Sequence, residues 1–439
     1  MVQGATRRTV GICAAALALS GCLSDAGGQA GDFVTRLKSV DPTAVGKANH
    51  TDEVNAQSAI IQGLVARRSV LPNGSSFDQV ATSVLAANAR TAEAELRAAR
   101  LRSEAASKNW LPRIGPQISL TSLSSLVANL VVDQVLFDHG RLKGEREFAV
   151  ADVEVAAVNL AVDTNDRVAT ALELYLQAAE GREKAALDAI SLTEMGEFEY
   201  IMSERVRGGV SDRSDLNILR QKLAEIRASQ AASQERAATA LAELNAMSVD
   251  PLSGLRGVPA FKVASGAAQP LEVVLAEAEK TRAIAAAKVN RANQLPGISA
   301  GATVGEGGDI GIRTSGDSLI GFGTGDSLRA IEAAKEAAGR RVAQANEDAN
   351  RALRKLEGQI NATRRQSGEA SELTRAAKAN LDLFQAQYKA GQRQVIDVVS
   401  VYETFTRQQH QEVTLKYETL TLQVDMARLL GVLADGDAI

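Results

Sequence analysis

Aromatic side chains are scarce: 3% of the 439 residues, with a single Trp. Large conventional cores draw much of their buried area from such rings. Here the 45% hydrophobic content is carried by Ala, Leu and Val, which suits long helices packed closely side by side. Cysteine is reduced to two residues and proline to eight, which excludes a disulfide scaffold and leaves long stretches without a helix breaker. The three histidines, His50, His139 and His410, stand far apart in sequence and form no His-Glu-x-x-His or Cys/His metal pattern. No Gly-x-Ser-x-Gly nucleophile elbow is expected, and no enzymatic chemistry. The Gly-rich segment 305–316 lacks the Gly-Lys-Ser/Thr ending of a phosphate loop. A formal charge of −4 is too mild for a nucleic-acid binder. No cofactor is expected beyond a covalent lipid.

That lipid is read from the first residues. Arg7 and Arg8 precede an apolar run at 9–19, too short to span a bilayer but fitting a signal-peptide core. The run ends in Leu19-Ser20-Gly21-Cys22, which resembles a bacterial lipobox, with Cys22 lipidated as the new N-terminus. Residues 1–21 are then a signal peptide that takes Cys13 with it. Its loss removes two positive charges and no negative one, moving the formal charge from −4 to −6. Leu23 in place of Asp resembles lipoproteins sent on to the outer membrane. Residues 22–76 read as a lipidated tether and strap.

The remainder is written twice. A breaker-poor helical block at 77–110 stops at Leu111-Pro112, and another at 271–294 stops at Leu295-Pro296, 184 positions later. Phe137 recurs as Phe322, Gly209 as Gly391 and Asp215 as Asp397, at offsets of 182 to 185. Ordered landmarks at one offset mark an internal duplication: a first repeat at 77–250, a linker at 251–270, a second repeat at 271–433 and a tail at 434–439. Each repeat is expected to be a helix, a β-hairpin (114–137 and 298–322) and a long helical hairpin with legs of about 50–65 residues; the first β-hairpin has room for two strands of about ten residues, and the Gly-rich second is a weaker strand pattern with a flexible loop as its alternative. Glycine is the expected turn residue at positions 209 and 391. Trp110 suits either a membrane interface or plain packing.

Four strands per chain cannot close a barrel, and open strand edges are not tolerated in lipid. Three copies supply twelve strands. The fold class is therefore mainly α with a small β part: duplicated long helical hairpins and four strands per protomer, closed by a ring-shaped oligomer, which with three copies is a trimeric α-barrel and a twelve-stranded β-barrel.

At this point the chain resembles the TolC-like outer-membrane efflux proteins. The resemblance covers residues 77–433 and is most specific in 388–431, with its Tyr-x-x-Gly start, an Asp six residues after the Gly and a Leu-Leu-Gly close. It continues in 205–221 and in Val135–Arg141. It implies a homotrimeric duct in the outer membrane that extends into the periplasm, met there by an adaptor protein and an inner-membrane pump driven by ATP or proton flux. Both type I protein secretion and multidrug efflux fall within it. It further implies a periplasmic entrance gate at Asp215, Tyr388, Arg393 and Asp397, with adaptor-docking tips at Gly209, Val210, Ser211, Gly391 and Gln392. The family's second tip Asp is replaced by Ser400, leaving at most a single acidic ring. A second reading keeps the fold without a pore: a structural lipoprotein assembly of the periplasm and outer membrane.

Overall fold

The computed structural model describes residues 58–87, 91–122, 125–304, 309–315 and 323–436. The signal segment, Cys22 and the tether as far as residue 57 lie outside the described residues, as does 316–322 of the expected second hairpin. In chain order the elements are α1 (Ala59–Val65), α2 (Ser76–Ala86), α3 (Thr91–Ser107), β1 (Arg113–Ser122), β2 (Ser125–Phe137), α4 (Arg141–Arg207), α5 (Arg213–Met247), α6 (Leu271–Asn293), β3 (Gly297–Val304), β4 (Ile310–Ser315), α7 (Thr324–Lys389) and α8 (Val395–Leu430).

The duplicated plan of helix, strand pair and helical hairpin is present, with three corrections. The helix expected over 77–110 is divided: Ala87, at φ −70° and ψ 90°, has left the helical region. The strap also carries structure, since α1 is capped by the Ser58 hydroxyl accepting from the Ile61 N–H at 3.2 Å. The hairpin legs are unequal: α4 and α7 have 67 and 66 residues, α5 and α8 only 35 and 36. At about 1.5 Å per residue the long legs reach roughly 100 Å and the short ones roughly 53 Å. The short legs end for local reasons. Ser248 turns extended ahead of Pro251. Gly431 takes φ 63° at a point where a Cβ would come within 2.6 Å of Leu271. Beyond those ends α3 and α6 take over as partners of α4.

Three buried clusters follow one another down α4. Val153, Val158 and Ala161 pack with Leu96, Leu271 and Val274. Leu172, Tyr175 and Leu176 pack with Phe77, Leu244, Phe261, Val424 and Leu430. Met195 and Met202 pack with Leu219, Leu381, Val398 and Tyr402. The heptad-like residues Leu216, Leu219 and Leu223 and Val395, Val398, Tyr402 and Phe405 all lie in this last cluster, as coiled-coil spacing requires. Small residues set the helix spacing elsewhere. At Gly181 a Cβ would stand 2.6 Å from the Ser233 carbonyl oxygen, so α4 and α5 meet backbone to backbone. The few aromatics are pooled: Phe77 meets Tyr175 and Phe261 edge-on at 6.0 and 5.7 Å.

The strands form one antiparallel sheet in the order β1-β2-β3-β4, so the hairpins of the two repeats lie side by side. β1 and β2 have 10 and 13 residues; the Gly-rich second stretch also forms strands, but β3 and β4 have only 8 and 6.

Candidate functional site

The tips of the two helical hairpins are built alike. In the first, the Val210 N–H donates to the Arg205 carbonyl at 2.8 Å and the Gly209 N–H to that of Val206 at 3.1 Å. In the second, the Gln392 N–H donates to Gln387 and the Gly391 N–H to Tyr388, both at 2.9 Å. This paired closure of a helix end needs a left-handed residue, and Gly209 and Gly391 supply φ 73° and 74°. Three residues on, the return helix is capped. The Asp212 carboxylate accepts from the Ser214 N–H at 3.1 Å. Gln394 caps α8 in a box with Asp397, whose carboxylate accepts from the Gln394 N–H at 3.4 Å.

The two turns flank one cleft of about 860 Å³ whose lining includes Val210, Ser211, Asp215, Tyr388, Gly391, Gln392, Arg393 and Asp397. Of the tip residues expected from sequence, Gly209 alone is absent from that lining; Val210 is 69% exposed. The cleft is polar but its charges are not joined within the protomer. Arg393 donates to the Gln387 side chain at 3.1 Å and stacks over the Phe384 ring at 4.4 Å, so its cation rests on its own hairpin. The Tyr388 ring meets Phe198 edge-on at 5.9 Å, tying the second hairpin to the first. Asp215 lies in the first turn of α5, and its carboxylate takes part in no hydrogen bond or ion pair among the described residues. Ser400 is exposed.

Above the tips the repeats are joined through a pairing with no signal in the sequence. The buried Asp188 carboxylate of α4 accepts from the Ser229 hydroxyl at 2.8 Å and lies 2.9 Å from His410 Nε2 on α8. These groups border a cavity of about 310 Å³ between α4, α5 and α8. Tyr402, on the same cavity, has its phenol pKa pushed upward by burial. Further along, Lys416 pairs with Glu183 at 2.8 Å and Arg428 with Asp166 at 3.1 Å.

At the opposite end of α4 the sheet separates its residues by chemistry. Directly paired residues share a face, and the register Ile114↔Val132↔Ala302↔Ile310 defines one. Leu130 and Val304, and Ala300 and Ile312, are paired on the same face. The other face carries Arg113, Asp133, Ser299, Gly301, Thr303 and Arg313, with Val131 and Val135. The apolar face is bare: Ile310 is 85% and Ile312 76% exposed. No helix among the described residues is long and apolar enough to cross a membrane.

One expectation from the sequence is corrected here. Gly297-Ile298-Ser299-Ala300-Gly301 does spell Gly-x-Ser-x-Gly. Yet Ser299 sits within β3, buried and paired with Val135 and Arg313, not on the strand-to-helix turn that makes an elbow. No group of three or more candidate metal ligands occurs among the described residues.

The same architecture is found in solved structures of outer-membrane channels. The chain is similar to the Campylobacter jejuni CmeC outer membrane channel (TM-score 0.69, 12% identity, 82% of this chain and 86% of that one). It is likewise similar to the outer membrane protein VceC of Vibrio cholerae (0.68, 14%, 87% and 96%). The open state of the Neisseria gonorrhoeae MtrE outer membrane channel gives 0.68, 18%, 82% and 90%. At these identities the likeness is one of fold. No protein-family model and no curated protein sequence matches the chain.

Proposed function

We propose that the protein is a homotrimeric outer-membrane channel, lipid-anchored at Cys22, that serves as the passive exit duct of a tripartite export system. The observation that carries this reading is the four-stranded sheet. It has one face of exposed Ile, Val and Leu and one largely polar face, and β1 and β4 are each left with an unpaired edge among the described residues. An apolar surface of that kind belongs in lipid, and open edges there must be closed by further copies. Three copies give twelve strands with the polar face lining a lumen. Long helices continue from the barrel into the periplasm, and their tips form the entrance. The duct does no chemistry; energy comes from an inner-membrane pump through an adaptor seated near Val210–Asp212 and Gln392–Gln394. In the closed entrance Arg393 and Tyr388 hold Asp215 across protomers, and converging Asp397 carboxylates attract cations. Opening parts those links.

A permeation assay tests the duct directly. Purified full-length protein in liposomes is expected to admit a small sugar faster once Arg393→Ser and Tyr388→Phe are combined. An unchanged rate would remove Arg393 and Tyr388 from the gate, and no permeation by any variant would remove the duct itself. The lengths of β3 and β4 favour one other reading, a non-conducting assembly of the same fold, because a strand that crosses the bilayer needs about 9–11 residues.

A further inference from the structure

Where the sheet meets the helices, the two repeats build a second cleft, of about 380 Å³, far from the tips. Its walls are the first turns of α4 and the last turns of α6. These helices cross closely because position 144 is glycine: a Cβ there would stand 3.0 Å from Val289 Cγ2 and 3.3 Å from its backbone nitrogen. The crossing brings Lys143 and Glu147 of α4 against Lys288 and Arg291 of α6. The floor is pinned by His139, whose Nε2 lies 3.1 Å from the Pro296 carbonyl oxygen. His139 holds a left-handed φ of 53°, an uncommon conformation outside glycine.

The charge of this cleft is unbalanced. Glu147 is taken by Lys288 at 2.6 Å. Glu145 is taken by Arg141 at 2.6 Å. The Asp138 carboxylate is spent on the start of α4, accepting from the Leu142 N–H at 2.7 Å and the Gly140 N–H at 3.0 Å. Lys143 and Arg291 are exposed and have no partner among the described residues. An apolar rim adjoins the cleft: the Phe137 ring meets that of His139 at 4.6 Å and Phe137 is paired with Ile298, and the two are 52% and 41% exposed. Exposed apolar groups followed by free cations match the order of acyl chain and phosphate in a lipid leaflet.

We infer that this cleft binds the phosphate-bearing headgroup of an anionic phospholipid, with Lys143 and Arg291 on the phosphate and Phe137 and Ile298 against the acyl chains. The lipid would seat the junction of sheet and helices at a fixed depth. This rests on the reading of the sheet as a membrane barrel.

The single tryptophan is moved to the cleft as the reporter, by Trp110→Phe with Phe137→Trp. This full-length variant is reconstituted in bilayers that contain phosphatidylglycerol and phosphatidylcholine, with bromine on the acyl chains of one lipid at a time. Indole quenching then reads which lipid is enriched beside the cleft. A cation near a membrane surface enriches anionic lipid by roughly fivefold, so brominated phosphatidylglycerol is expected to quench at a several-fold lower mole fraction than brominated phosphatidylcholine. Lys143→Gln with Arg291→Gln should abolish that difference, and Lys143→Arg with Arg291→Lys should keep it. Equal quenching by the two lipids, or a preference that survives the neutral pair, overturns the site. Loss of the preference in excess inorganic phosphate assigns the cleft to free phosphate and overturns the lipid. Permeation measured on the same vesicles separates the two proposals. Preference without permeation keeps the site and ends the duct; permeation without preference ends the site alone.

Discussion

The two hairpin tips share a backbone and differ in what their side chains do. Both close with the same pair of hydrogen bonds around a glycine of φ 73° or 74°, and both place the cap of the return helix three residues later. In the first tip Asp212 caps the helix, leaving Asp215 without a partner. In the second, Gln394 is the weaker cap and Asp397 bonds back to it, while Arg393 rests on Phe384. The two tips have the same turn, which the fold requires, and different side chains. The carboxylate left without a partner among the described residues is Asp215.

The largest effect is expected where the repeats differ in packing. Gly181 corresponds, at the offset of 182, to Thr363. Gly181→Thr would drive a side chain into the Ser233 carbonyl and should cost about 3 kcal/mol, measured by denaturation of the purified protein; a loss below about 1 kcal/mol would mean that the backbone contact is soft. Gly209→Val and Gly391→Val come next. Each forces a β-branched residue into the left-handed region at about 1–2 kcal/mol, and the two losses should agree if the turns are equivalent. Asp212→Ala should cost about 1 kcal/mol, and Gln394→Ala clearly less, since Gln is a poor cap. Equal losses would show that the two caps do the same work. The smallest effect on stability belongs to Asp215→Asn, within about 0.5 kcal/mol of zero. That same variant should loosen the proposed latch and raise sugar permeation in liposomes, whereas Ser400→Ala should leave it unchanged.

What the sequence made legible was local. A Leu-Pro pair ends a helix wherever it stands, and a glycine followed six residues later by Asp marks a turn and the next helix start. Repetition of both at one offset was enough to expect the duplicated plan. The unequal legs were not legible, because α5 and α8 end by meeting other segments, as Gly431 meets Leu271. The contact of Asp188 with His410 and the cleft of Lys143 and Arg291 each join the two repeats, and nothing near either residue announces the other. Ser299 fails in the opposite sense: the local pattern of an elbow is present and the surrounding strand gives it no such role. At the tips the sequence marked the two turns, but neither the cleft between them nor the stacking of Arg393 on Phe384.

Single-channel recording on the purified full-length protein in planar bilayers tests the central claim most directly. The account predicts discrete openings from a trimer, small in the native protein and larger when Arg393→Ser and Tyr388→Phe are combined. A stable trimer that carries no current, with or without those substitutions, would contradict it.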